Sequence, residues 1–235
     1  MAVFEQQVRA VCETDRAATK RLETEGIHTV CVDEKTSIQA LEPKAPTLPM
    51  RPGLIERREV EYTRHGTQVL IGNFEVATGE VIAPTVPQTR GEVDFATHIE
   101  HTLATDPRAG GIFVADHLTT HCSATLVLLI AGVGSIPADT LGVKGKDGVL
   151  KSVATRKAFL SDANHRVRLV YVPKHTSWLN QVEIWFSVLS RRVIRRGAFR
   201  STADLRDRIL KFIDDYNDTR AKPFKWTDAG RPLNV

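Results

Sequence analysis

The stretch from Tyr171 to Phe199, YVPKHTSWLNQVEIWFSVLSRRVIRRGAF, contains one acidic residue, Glu183, among apolar, neutral and basic ones. Two more acids, Asp33 and Asp116, each end a short apolar run, VCVD and FVAD. Three carboxylates that converge would repel one another unless cations lay among them, and oxygen ligands suit Mg²⁺ or Mn²⁺. Two such ions activate a hydroxyl or water on one side of a phosphodiester and stabilise the leaving oxygen on the other. The pattern therefore predicts a two-metal catalytic site.

Each of these acids also has a purely structural interpretation. Asp33 and Asp116 could be turn or cap residues, which commonly follow strands. Asn180 could begin a helix and Glu183, three positions later, could complete a capping box. Glu183 lies beside the apolar stripe of that helix, however, where it could point along a sheet edge towards the two aspartates.

Positive charge is concentrated near Glu183, although the net charge of the chain, +4, is too small to indicate a polyanionic partner by itself. A run of arginines that begins at Arg191 predicts a surface that contacts phosphates; a solvated helix face is the alternative. His121, near Asp116, could contact phosphate, orient the metal site or act as a cap. The residues expected to bind DNA are His121, Lys174, His175, Arg191, Arg192, Arg195 and Arg196.

Apolar periodicity predicts the elements that position these residues. The runs IHTVCVDE, GGIFVAD and RVRLVYV have the pattern of buried strands, whose carboxyl ends form the ligand-binding edge of open α/β sheets. The stretch TQVLIGNFEVATGEVIAP predicts a hairpin that turns at Thr78 and Gly79. Helices are expected over residues 3–24, 92–106, 123–131, 180–196 and 202–216. This order predicts an α/β fold with a mixed five-stranded sheet flanked by helices.

Two segments between these elements are expected to be irregular. Four prolines recur every third residue from Pro43 to Pro52, which favours an extended polyproline-like arm. Glycines punctuate residues 132–166, predicting a loop or insertion with a short helix near 155–160. We expect an N-terminal helical arm (1–26), a catalytic domain (27–217) and a C-terminal tail (218–235).

Cysteine usage and hydropathy exclude other classes of protein. Three widely spaced cysteines, with no CxxC motif, argue for a reducing compartment and against structural zinc. No stretch reaches the length of a membrane span, and the charged N-terminus does not have the pattern of a signal peptide. We therefore expect a cytoplasmic protein without a membrane partner.

Three blocks of sequence resemble the catalytic domain of DDE transposases, in the bacterial insertion-sequence branch related to mariner elements. They are VCVDEKTSIQALEPKAPTLP, FVADHLTTHCS and PKHTSWLNQVEIWFSVLSRRVIRRGAF, and the closing KPFKWTDAGRPL is similar as well. The resemblance begins near residue 28 and continues to the end of the chain. The third block, which contains Glu183, is the most specific.

The resemblance implies a ribonuclease H-like fold with Asp33, Asp116 and Glu183 as catalytic acids. These residues would hold two Mg²⁺ ions, with Mn²⁺ as a substitute and Asp33 bridging both. The implied activity is cleavage of DNA at transposon ends, followed by attack of the freed 3′-hydroxyl on a target duplex. Such a protein would associate with the bacterial nucleoid, and paired ends imply a homodimer.

The chain departs from the family pattern at two places. His117 occupies the position after the second aspartate, where the family usually has asparagine. The 32 residues before Asp33 are too few for the helix-turn-helix modules of such transposases, so we expect this chain to lack them. Two alternatives follow: a ribonuclease H-type nuclease, or a non-catalytic transposase-derived remnant that binds DNA.

Overall fold

Four strands form one mixed sheet in the computed structural model, which describes residues 2–57 and 59–225. The order across the sheet is β2-β1-β3-β4; β1 is antiparallel to β2 and parallel to β3, and β3 is parallel to β4. The strands are β1 (Ile27–Pro43), β2 (Tyr62–Glu75), β3 (Gly110–Ala115) and β4 (Val167–Tyr171).

Helices cover both faces of the sheet. They are α1 (Ala2–Arg16), α2 (Ala18–Glu25), α3 (Glu92–Thr105), α4 (Ala124–Val133), α5 (Val153–Leu160), α6 (Gln181–Leu189) and α7 (Thr202–Arg220). A π-helical turn, Ser190–Ile194, follows α6. Within the described ranges, no helix is both long and apolar enough to cross a membrane.

Side-chain alternation along the strands divides the core in two. Cys31 and Val114 belong to a core cluster that includes residues of α1, α6 and α7, whereas Val30, Val32 and Phe113 belong to one that includes residues of α3 and α4. This is the two-residue period of a strand whose faces are both buried. The face covered by α1, α6 and α7 is the one that positions the candidate site.

The sheet differs from the predicted one in two respects. β1 does not end at Glu34 but continues to Pro43, so the proline segment lies at the tip of a long β1–β2 hairpin, where Leu48 and Arg57 form an antiparallel bridge. The return run predicted after Gly79 contacts β2 only through isolated bridges at Val81 and Thr85, so a fifth strand is not formed among the described residues.

The predicted turn at Gly79 requires glycine. Its φ is +79°, in the left-handed region, and an added Cβ would lie 2.0 Å from the Lys222 backbone. That contact brings the chain after α7 against the turn, where Phe224 stacks on Phe74 at 4.5 Å.

Most of the predicted helices are confirmed. The segment 3–24 is divided into α1 and α2 near Ala17, and α5 is the short helix expected within residues 132–166. Ser123 caps α4 by accepting a hydrogen bond from the Leu126 N–H. The first helix contributes Val8 and Val11, and the second contributes Ala18, to the same core cluster as the sheet. The tail prediction, residues 218–235, overlaps the end of α7, and residues 226–235 lie outside the described part.

Candidate active site

Neighbouring parallel strands place Asp33 and Asp116 on the same side of the sheet. Cys31 pairs with Val114 in the β1–β3 register, and each aspartate comes two residues later in its own segment. With a two-residue period, both aspartates continue the face that Cys31 and Val114 occupy. Asp33 is 9% exposed, whereas Asp116, which directly follows β3, is half-buried.

Helix α6 packs on this face through Val182, Trp185 and Phe186, all buried. Its first turn carries Glu183, which is half-buried beside the apolar stripe. The capping-box alternative is not observed, because Asn180 makes no side-chain cap hydrogen bond. Instead its amide donates to the Val32 carbonyl at 3.0 Å and to Asp33 Oδ2 at 3.4 Å. Asn180 therefore fastens the start of α6 to β1 beside the aspartate.

The three carboxylates are close enough to influence one another's ionisation. Burial raises the pKa of Asp33 to about 7, and the charges of Asp116 and Glu183 add to that rise, while the Glu34 N–H opposes it. Burial also raises the pKa of Glu183, with Lys35 opposing the shift and Asp116 adding to it. Such mutual repulsion is what a bound cation would relieve.

The donor set fits a hard divalent cation, although a closed cage is not preformed. Within residues 2–57 and 59–225, no group of three His, Cys, Asp or Glu side chains already surrounds one point as a metal site would. The oxygens nevertheless suit Mg²⁺ or Mn²⁺ in type. Oδ1 of Asp116 receives the Leu118 N–H at 2.8 Å and lies 2.7 Å from His121 Nδ1. Its Oδ2 has no such partner in the described part of the chain.

His121 connects Glu34 of β1 with Asp116, which follows β3. Its side chain is 0% exposed; Nδ1 lies near Asp116, and Nε2 lies 3.1 Å from Glu34 Oε2. Burial works to lower the pKa of His121, but the contacts with Asp116 and Glu34 outweigh it and raise the pKa to about 9. This enclosure argues against the predicted contact of His121 with DNA and favours its orienting role.

His121 also acts on the acid beside it. Burial works to raise the pKa of Asp116, yet the contacts with His121 and the Leu118 N–H lower it overall. Glu34, next to Asp33 on β1, faces the opposite way. Its side chain, 4% exposed, nevertheless reaches Asp116 through His121. In the sequence, the signals for this three-residue contact are a glutamate next to Asp33 and a histidine five residues after Asp116.

The basic residues expected to bind DNA, apart from His121, lie on the surface. Lys174 and His175 are exposed on the loop between β4 and α6, and His175 has a φ of 65°, which is uncommon for a non-glycine residue. Four arginines are exposed on or just after the π-helical turn: Arg191, Arg192, Arg195 and Arg196. None of the four is within 4.0 Å of a described carboxylate.

A family model described as DDE superfamily endonuclease matches residues 28–206. The chain belongs to this family. The match contains all three candidate acids, and it confirms the family predicted from the sequence. A search of curated proteins found no match.

Solved transposase structures share the fold of this DDE endonuclease chain. The Mos1 transposase paired-end complex with left transposon end has a TM-score of 0.52 at 14% identity. The Mos1 mariner paired end complex with Mn has a TM-score of 0.51, also at 14% identity. Each match covers 94% of this chain and 57% of the other, so the chain spans little more than half the length of these relatives.

Proposed function

We propose that this chain is a transposase catalytic domain that cleaves DNA and transfers the cut strand with the help of divalent metal ions. The observation that carries the proposal is the common placement of three acids from distant parts of the sequence. Asp33 and Asp116 share one sheet face, and Glu183 begins the helix packed on that face. Their effects on each other's pKa support a site that is completed by cations.

Asp33, Asp116 and Glu183 would hold two Mg²⁺ ions, or Mn²⁺ in their place. Such ions supply an activated hydroxyl or water and stabilisation of the leaving oxygen. Asn180 would fix the distance between Asp33 and α6, and His121 would orient Asp116 through Oδ1. The exposed arginines after α6 would hold the DNA backbone. The ribonuclease H-like classification and the catalytic boundaries, residues 27–217, belong to the same proposal.

The first prediction tests this assignment. Asp33→Asn, Asp116→Asn and Glu183→Gln should each abolish Mg²⁺- or Mn²⁺-dependent nicking of DNA, because each removes a charged ligand. Circular dichroism and thermal unfolding would check that the fold persists, and Asp214→Asn, at an exposed position on α7, is the matched control. Near-normal nicking by any of the three variants would remove that residue from the site.

Strand transfer distinguishes the proposal from a simple nuclease. A transposase should join a pre-cut 3′-hydroxyl end to a second duplex, whereas a ribonuclease H-type enzyme should only hydrolyse. A DNA-binding remnant should do neither while still retaining DNA. The activity would be exercised on DNA at the bacterial nucleoid, with transposon ends and target duplex as partners.

A homodimer is the second part of the proposal. The hairpin tip between β1 and β2 exposes apolar side chains, with Met50 74% exposed and Ile55 81% exposed. Exposed apolar surface of this kind is typical of interaction sites. Ile55→Asp should therefore weaken self-association in analytical ultracentrifugation, and an unchanged distribution of species would exclude the tip as the interface.

A further inference from the structure

A second group of polar residues lies beside Asp116, outside the three acids. His117 follows Asp116, and Lys157 comes from α5. The Lys157 ammonium contacts His117 Nδ1 and lies 4.7 Å from the centroid of the Tyr171 ring. His117 stacks on the same ring at 5.4 Å, and the Tyr171 hydroxyl donates to the His121 carbonyl at 2.9 Å. The Tyr171 ring thus contacts both groups and is held in place by its own hydrogen bond.

The contact between Lys157 and His117 determines how the imidazole is protonated. An ammonium group has only donors, so Nδ1 of His117 must be the acceptor. Nε2 therefore carries the ring proton and is a free donor. The ammonium and the Nε2–H then lie at opposite edges of the imidazole, so they offer donors to two neighbouring points beside Tyr171.

This site has positive charge without a counter-ion from the described residues. Among the described residues, no carboxylate lies within 4.0 Å of the Lys157 ammonium. Lys174, whose charge acts on Lys157, is exposed. Burial lowers the pKa of Lys157, and the charge of Lys174 adds to the effect. An anion bound here would relieve this repulsion.

The surroundings offer room for a nucleotide. A cavity of about 400 Å³ includes Lys157, Tyr171 and Arg168 in its walls. A second cavity of about 670 Å³ includes Lys174 and His175. Both are lined by Gln7 of α1 and by His117, so they form neighbouring parts of one groove that ends beside Asp116.

We propose that Lys157 and His117 form a clamp on a DNA strand that passes Asp116 along this groove, with one phosphate of the strand on the Lys157 ammonium. The ammonium supplies the charge, the Nε2–H of His117 supplies a directed hydrogen bond, and Lys174 extends the positive path towards α6. This assignment rests on the proposed function, because the strand held here is the one presented to the three acids. His117 thus acquires a role that the usual asparagine could fill only in part.

The test measures how Lys157 couples to individual DNA phosphates. Lys157→Met keeps the aliphatic packing on Tyr171 but removes the charge; Lys151→Met, at an exposed position before α5, is the matched control. Affinity for a short duplex is measured with Ca²⁺ in place of Mg²⁺, over a range of salt concentrations. Lys157→Met should weaken binding roughly tenfold and reduce the slope of log K against log salt by about 1. Lys151→Met should change neither.

A series of duplexes, each with one neutral methylphosphonate, locates the contact. Methylphosphonate at one linkage near the cleavage site should weaken binding of wild-type protein. The same substitution should not further weaken binding of Lys157→Met. Equal losses in both proteins at every linkage would overturn the clamp. If wild-type protein neither binds nor nicks DNA, the proposed function itself fails. If it does both, but no linkage shows a methylphosphonate effect that depends on Lys157, the clamp alone fails.

Discussion

At the scale of single residues, His121 joins two carboxylates that strand alternation separates. Asp33 and Glu34 are adjacent and face opposite sides of β1, yet the imidazole reaches from Glu34 to Asp116. A cation shared by two acids restricts the rotation of both. This arrangement leaves Oδ2 of Asp116 as the oxygen available to a metal ion.

Replacing His121 should therefore impair catalysis more than DNA binding. His121→Asn removes one of the two contacts, and loss of such a supporting contact commonly reduces metal affinity or activity by about 10–100-fold. The nicking rate and the Mn²⁺ concentration for half-maximal rate should both change, while DNA affinity in Ca²⁺ should not. Glu34→Gln, which keeps an acceptor for the imidazole, should lose less. Equal nicking by wild-type and His121→Asn proteins would contradict the role.

Asp15 makes stability depend on pH. It is 5% exposed on α1, and burial raises its pKa to about 7, with Gln181 opposing part of the shift. The folded state therefore holds this proton to higher pH than the unfolded state, so Asp15 reduces stability progressively from about pH 4 to pH 7. Above that range the penalty is constant.

Asp15→Asn should remove this dependence. The variant should match wild type near pH 4 and exceed it at pH 8, by at most about 4 kcal/mol. Urea unfolding at a series of pH values measures the difference, with Asp214→Asn on the surface as control. A stability difference that does not grow with pH would show that Asp15 is ionised in the folded protein.

At the scale of elements, Gly72 allows α6 to approach the sheet next to Asp33. Gly72 pairs with Asp33 in the β1–β2 register, and an added Cβ would lie 2.9 Å from Cε1 of Phe186 and 3.5 Å from Val182. Because 2.9 Å is shorter than real Cβ contacts, a side chain here must displace the Phe186 ring or the helix that carries it. The position of Glu183 on α6 thus depends on a glycine of β2.

Gly72→Val should move α6 outward and weaken the site. We expect a loss of about 1–3 kcal/mol in unfolding free energy, together with a higher Mn²⁺ requirement for nicking. Gly132→Ala on α4, where an added Cβ meets nothing within 4 Å, should instead be neutral or stabilising. If Gly72→Val kept wild-type metal dependence, the close approach of α6 would not matter for the site.

The sequence predicted the elements that short-range patterns specify. Apolar runs identified the starts of β1, β3 and β4, and helix periodicity identified α3 and α4, because burial imposes those patterns. The continuation of β1 to Pro43 was missed, since residues 34–43 are mostly half-buried and an irregularity between Lys35 and Ile38 interrupts the alternation that identifies a strand. Asn180 was read as a cap, but a tertiary contact with β1 prevailed. The contacts of Glu34 with His121 and of Lys157 with His117 join residues far apart in the sequence, so no local pattern could predict them.

At the scale of the whole molecule, charge is distributed unevenly despite the small net value. Four exposed arginines lie between positions 191 and 196, directly after the helix that carries Glu183. In the proposed function, this positive surface would attract DNA and direct it towards the acids. Long-range attraction of this kind depends on salt.

Neutralising these arginines should weaken DNA binding without affecting the acids. Changing Arg191, Arg192, Arg195 and Arg196 to Gln should reduce the salt slope by up to about 4, if each contacts one phosphate. Arg206→Gln with Arg220→Gln is the control, because these exposed arginines pair with Asp207 and Asp215. If the fourfold variant kept the wild-type slope of log K against log salt, the four arginines would form only a solvated helix face.

The π-helical turn Ser190–Ile194 determines where two of these arginines point. A widened turn contains about one residue more than a regular one, and each residue of a regular helix adds about 100° of rotation. Deleting Val193 would let the turn tighten, which would swing Arg195 and Arg196 about a quarter of the way around the axis. If these arginines hold DNA as proposed, insertion or deletion of a single residue in this turn would change the orientation of the DNA relative to Glu183.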